Sequence, residues 1–175
     1  MSSYEDTNRE SLGSASGGME CACELDQNVE ILRRVDVFAG VPLERLKVYA
    51  LLCKRRRFEK GQFIFQQGEA DDKAYILIEG TAQVIRQYED HSFLVHELHP
   101  GDFFGGLALL ADVKRLFAVR ATTDVEVLTI DRESFRKILR QFPELVEKIL
   151  DVMIGRIVRM EEKLLERHIH ECVIQ

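Results

Sequence analysis

Between Phe58 and Asp131 the chain breaks into short runs of β-branched and aromatic residues, separated by Gly61, Gly68, Gly80, Gly101, Gly105 and Gly106. "QFIFQQG", "KAYILIEG", "TAQVIRQY", "FLVHEL", "LFAVRAT" and "VEVLTID" each carry strand composition and stop at a turn-forming residue. Many short strands at close, regular intervals predict a β-sandwich or barrel rather than a parallel sheet with crossover helices. With 46% apolar and 31% charged residues in 175, the chain can bury one core and stay soluble. The expected fold is mainly β with flanking helices: a double-stranded β-helix or jelly-roll-like β-roll, preceded by N-terminal helices and followed by a long C-terminal helix.

The flanks follow from periodicity. Residues 1–27 are rich in Ser, Gly and acidic side chains and lack an apolar period, so a mobile tail is expected there. Residues 28–142 should form the roll with its N-terminal helices. "NVEILRRVDVF" places Ile31, Leu32 and Val35 on one side of a helix that Gly40 ends, and a second helix carries Leu43, Leu46, Ala50 and Cys53 at helical spacing behind Pro42. Lys54, Arg55, Arg56 and Arg57 read as the solvated end of that second helix, where cations complement the dipole. "RESFRKILRQF" is helical again, and Pro143 restarts the pattern for a helix over residues 143–172. There Val146, Leu150, Met153, Ile157, Met160 and Leu164 alternate four and three residues apart, a heptad seam. Leu145, Ile149 and Val152 form a second stripe that can pack on the roll, which leaves the seam for a second copy of the chain and predicts a homodimer; the alternative is that the seam itself packs on the roll.

The formal charge of −6 opposes attraction to nucleic acid, and after the seam "ERHIHECVIQ" is too short for a helix-turn-helix. No long apolar segment or leader pattern is present, so a cytoplasmic protein without membrane insertion is expected. Cys21, Cys23, Cys53 and Cys172 are too scattered for a disulfide framework, and Cys21-Ala22-Cys23 has no second Cys/His pair to complete a metal site. No nucleophile elbow, zinc pair or phosphate-transfer set appears, so neither catalysis nor a metal is predicted.

The segment "GDFFGGLALLADVKRLFAVRAT", Gly101 to Thr122, carries the chemistry. A glycine-rich turn at Gly105 and Gly106 offers backbone N–H groups to an anion, and the short helix begun by Leu107 and Ala108 aims its positive end at the same place. Arg115 supplies a planar, two-pronged donor for two phosphate oxygens. As a ligand group Arg115 would be reachable from solvent; as a structural one it would pair with a local carboxylate, Asp112 or Asp102.

Together with "EKGQFIFQQGEADDKAYILIEGTAQV" and "KRLFAVRA", this segment resembles the cyclic-nucleotide-binding domain shared by catabolite activator proteins, protein kinase regulatory subunits and nucleotide-gated channels. The resemblance runs from about Asn28 to His168, and Gly61, Gly68, Tyr75, Gly80, Gly101, Asp102, Phe104, Gly105, Ala108, Leu109, Arg115 and Ala121 fall at the family's spacing. It implies that the cassette holds a cyclic phosphate and ribose, with cAMP or cGMP as ligand, and that the C-terminal helix closes over the base and dimerises. Three departures stand out. Gly106 replaces the glutamate that accepts the ribose 2′-hydroxyl, Leu116 and Phe117 replace small residues after the arginine, and Met160 takes the place of a polar group toward the base. Losing a hydrogen bond to a charged group, about 1.5–3 kcal/mol, predicts about ten- to a hundredfold weaker binding of a ribose ligand. Of Leu116 and Phe117 only one should intrude, because alternate strand side chains face opposite ways.

The expected function is therefore a non-catalytic regulatory module that senses a cyclic nucleotide or related phosphate ligand and signals through its C-terminal helix to a protein partner that the sequence does not identify. One alternative is a ligand-free dimeric scaffold that keeps the fold. Another is a haem-based sensor, prompted by His91, His96 and His99, although solvated or hydrogen-bonded imidazoles are the better account of these and of His168 and His170.

Overall fold

The computed structural model describes residues 16–173, without the side chains of residues 16–22, 156, 163, 164 and 167–173. Two four-stranded antiparallel sheets form the roll. The first has the order β1 (Lys54–Phe58), β8 (Val125–Asp131), β3 (Lys73–Glu79), β6 (Phe103–Phe104); the second runs β2 (Phe63–Phe65), β7 (Ala118–Ala121), β4 (Ala82–Tyr88), β5 (His91–Leu98). Helices α1 (Ser16–Arg33) and α2 (Leu43–Leu52) precede the strands, α3 (Leu107–Leu110) interrupts them, and α4 (Arg132–Gln141) and α5 (Glu144–Val173) follow.

Strand alternation assigns the two cores. On β3, Tyr75 and Leu77 face the interior of the roll with Phe65, Val84, Phe104, Val119 and Val127, while Ala74 and Ile76 face the helices. On that outer side Leu32, Phe38, Leu46, Tyr49, Phe135, Ile138, Leu145 and Ile149 close a second core. β3 and β8 are thus apolar on both faces, and their runs carry little alternation in polarity.

Two expectations are corrected. Helix α1 begins at Ser16, so residues 16–27 of the expected tail are helical; residues 1–15 lie outside the described residues. Lys54 to Arg57 do not end a helix. The chain leaves α2 at Cys53, whose backbone is extended (φ −83°, ψ 152°), and these cations form edge strand β1 in register with Thr129 to Glu126. Arg55 and Arg57 lie within ion-pair distance of Glu126, and Arg55 also bonds Asn28 and Gln27 on α1. A charged edge discourages pairing with a further strand, which is a sufficient role for the run.

The base of α5 is fastened. Leu145 and Ile149 are buried, Lys148 Nζ donates to Ala39 O at 2.8 Å, and Glu144 pairs with Arg45. Val146, Leu150, Ile157 and Met160 of the heptad seam are exposed, whereas Met153 is partly buried against the outer core. The side chain of Leu164 lies outside the described set.

Candidate phosphate-binding site

Gly105 and Gly106 join β6 to α3, and each is glycine for a different reason. Gly105 has φ +76°, a left-handed conformation, and an added Cβ would stand 2.7 Å from Arg115 Nη1. Gly106 has ordinary helical angles (φ −61°, ψ −23°), but a Cβ there would lie 2.7 Å from the Phe103 ring. Phe103 thus occupies the space through which a side chain at 106 would leave the backbone.

These glycines, with Leu107 and Ala108, form one wall of a hollow of about 360 Å³. Arg115, Leu116 and Phe117 form another, and Val84, His96, Leu98, Val113 and Lys114 complete the lining with Phe103 and Phe104. Phe117 turns inward to meet the Phe65 ring at 5.9 Å, whereas Leu116 is largely exposed; the two lie on a bend ahead of β7 rather than in a strand, and both line the hollow. Met160 is not brought to the hollow. It sits on α5 with 61% of its surface exposed, because the first turns of α5 pack on the helical side of the first sheet.

Arg115 is buried and paired with a carboxylate, though with neither Asp112 nor Asp102. It is only 6% exposed, and its carboxylate partner is Asp71, with Nη2 to Oδ2 at 2.5 Å. Asp112 instead pairs with Arg132, and Asp102 accepts from the His99 N–H. Arg115 Nη1 donates to Gly105 O at 2.9 Å, Nη2 also reaches Lys73 O, and the guanidinium carbon lies 4.1 Å from the centre of the Phe65 ring. The Arg115 backbone is tied at both ends, its N–H to Glu69 O and its carbonyl to the Gly68 N–H. Among the described residues, Arg115 Nε is a buried donor with no acceptor.

Asp71 joins this network to Tyr75, whose hydroxyl donates to the same Oδ2 at 2.9 Å. Burial pushes the Asp71 carboxyl upward, but hydrogen bonds from Arg115 and Tyr75 and the charges of Arg115 and Lys73 outweigh it and hold the group below the usual carboxylate range. Burial, then the Asp71 charge, pushes the Tyr75 phenol up, so it stays a donor at neutral pH. No local pattern marked Asp71 as the partner, because 44 residues separate it from Arg115. The pair of carboxylates ahead of the β3 run was the available sequence signal.

His91, His96 and His99 are exposed, and no group of three or more His, Cys, Asp or Glu side chains among the described residues could hold a metal ion. Cys23 is exposed and unpaired; Cys21 and Cys172 lie outside the described side chains. Burial pushes the Cys53 thiol up to about 12, which leaves it unreactive at neutral pH. No helix among the described residues is long and apolar enough to cross a membrane.

Comparison with known proteins gives the same family by sequence and by fold. Residues 55–142 match the model of the cyclic nucleotide-binding domain. A cGMP-dependent protein kinase of Caenorhabditis briggsae is 34% identical over 116 residues, 65% of this chain and 16% of the kinase. A CRP-like cAMP-activated global transcriptional regulator of Mycobacterium tuberculosis is 29% identical over 136 residues, 77% of this chain and 61% of the regulator. The chain therefore spans less than two thirds of the length of either relative. The solved structure of a cyclic nucleotide-binding-like protein from Brucella abortus superposes with a TM-score of 0.60 at 30% identity, covering 66% of this chain and 99% of that one.

Proposed function

Because the chain belongs to the cyclic nucleotide-binding domain family, we propose that it is a non-catalytic, cytoplasmic regulatory module that binds a cyclic nucleotide or related phosphate ligand through an altered cassette and signals through α5. The observation that carries this reading is Arg115: a buried guanidinium on the wall of a concave hollow, with one N–H left without an acceptor. A buried unsatisfied donor costs about 1–3 kcal/mol, which an anionic oxygen in the hollow would recover. Support for an outward route comes from Phe103 and Gly106, which line both the hollow and a smaller apolar cavity of about 40 Å³ that reaches Ile149 and Met153 on α5; a ligand that displaced the Phe103 ring would act on the helix base through that cavity.

The alternative of a ligand-free scaffold draws on the same arginine, whose two Nη atoms are already engaged by Asp71, Gly105 O and Lys73 O. Calorimetry separates the two. Wild type should bind cAMP and cGMP with dissociation constants at or above about 10 µM, since about 1.5–3 kcal/mol of ribose recognition is missing. Submicromolar binding would refute the altered-cassette reading, and no binding of any phosphate ester would favour the scaffold. Gly106→Glu alone must displace the Phe103 ring, so the informative variant is Gly106→Glu with Phe103→Ala, which should gain about tenfold in cAMP affinity.

The seam on α5 supports a homodimer, with Val146, Leu150, Ile157 and Met160 exposed while Leu145 and Ile149 are committed to the core. Ile157→Glu with Met160→Glu should give monomers in light scattering, because like charges would face each other across the seam. Retention of the dimer mass would place the contact elsewhere. Output to a protein partner then proceeds from the α5 pair.

A further inference from the structure

The β4–β5 hairpin carries an irregularity in its register. Ile85 pairs with Leu94 but Val84 pairs with His96, so Val95 is an extra residue, a β-bulge in the middle of β5. A bulge re-aims the side chains that follow it, and bulges recur beside binding sites for that reason. Here it sets His96 on the same face as Val84 and Leu98, where all three line the hollow. Lys114 lines the hollow too, and neither Lys114 nor His96 has an ion-pair partner among the described residues. Among the described residues no Asp or Glu side chain lines the hollow; Asp71 belongs to the network around Arg115 and Tyr75. The place from which a carboxylate at 106 would project is filled by Phe103.

The ionisable lining is therefore one buried guanidinium with an unmet N–H and, at the exposed residues, one free ammonium and one free imidazole. A cyclic phosphodiester brings a single negative charge and a 2′-hydroxyl that this lining offers no carboxylate to receive. We infer that His96 and Lys114 form a second anion-binding point, and that the hollow prefers a dianionic phosphate monoester, recognised by charge rather than through its sugar. This rests on the phosphate-binding reading above and names the ligand class for that site. A phosphate monoester has its second pKa near about 6 and is close to dianionic at pH 7.5, so it can engage Arg115 and Lys114 together.

Isothermal titration of the full chain at pH 7.5 with AMP, cAMP and 2′-deoxy-cAMP tests this. AMP should bind about two- to fivefold more tightly than cAMP, the worth of one added charge pair at exposed side chains. The two cyclic nucleotides should agree within about twofold, since no charged acceptor reads the hydroxyl. His96→Ala and Lys114→Ala should each weaken AMP several times more than cAMP, with unchanged melting temperature because both side chains are exposed. Tighter binding of cAMP than AMP, or equal losses for both ligands in the rim variants, would overturn the inference and leave the family reading intact. A gap above about tenfold between cAMP and its 2′-deoxy form would also overturn it, by showing that the hydroxyl is read. Failure of all three nucleotides to bind would remove the phosphate-binding reading together with it.

Discussion

Replacement of Arg115 by alanine should destabilise the domain by about 3 kcal/mol, because it strands the Asp71 carboxylate in a largely buried site. For a domain of this size that lowers Tm by about 6–12 °C, with or without ligand present. It should also abolish phosphate-dependent binding. Arg115→Lys keeps the charge but cannot serve Gly105 O, Lys73 O and Asp71 with one planar fork, so it should recover only part of the stability. Adding Asp71→Asn to Arg115→Ala removes the stranded charge, and the double variant should be more stable than the sum of the single losses predicts. The pH dependence has a definite sign. The folded-state pKa of Asp71 is depressed, so its contribution is present above the unfolded value of about 3.9 and is lost as pH falls through the lower folded value. That acid-side loss should shrink in Asp71→Asn. An unchanged Tm in Arg115→Ala would make Arg115 a ligand group alone.

The second large effect is expected at Gly80, in the turn between β3 and β4. Its φ is +84°, and an added Cβ would lie 2.2 Å from Asp124 O and 2.8 Å from Thr123 Oγ1. Left-handed strain and the collision with backbone act together, so Gly80→Ala should cost about 3 kcal/mol or more. The Thr81–Thr122 and Thr81–Thr123 hydrogen bonds cross this same turn, and they join β4 to the β7–β8 connection. Urea denaturation of the variant reads the loss directly. Gly68→Ala makes a useful control: it shares the positive φ, at +85°, but a Cβ there meets nothing within 4 Å, so it should pay for backbone strain alone.

What could be read before folding follows from which interactions are local. The strand runs at 73–79, 82–88 and 125–131 were legible because turn residues bound them and their composition is strand-like over their whole length. The two stripes of α5 were legible because a helix repeats its faces within a few residues, and Leu145 and Ile149 do pack inward while Val146 and Leu150 do not. Lys54 to Arg57 misled because four cations in a row carry no period, and the neighbour that makes them a strand, β8, lies 71 residues on from Lys54 at Val125 and beyond. Ser16 to Gln27 misled because Gly17 and Gly18 lower local helix preference, which Leu25, Val29 and Leu32 offset by packing on the outer core. The Asp71–Arg115 pair and the Phe103–Gly106 contact are matters of three-dimensional proximity. Only the residue types involved were visible, and they suggested an anion seat without showing that Arg115 is already held by a carboxylate.

The fastening of α5 at one end has a mechanical consequence. Ala39, Arg45 and the outer core grip Glu144 to Ile149, and among the described side chains Met153 is the last seam residue that touches that core. From there to Val173 the helix extends by about 30 Å at 1.5 Å per residue. A tilt of about 5° at the grip therefore carries the far end through about 2.5 Å, half a helical turn in magnitude. The helix is a pointer with a short inner arm and a long outer one, so a displacement at the grip too small to change the roll is enlarged toward Val173.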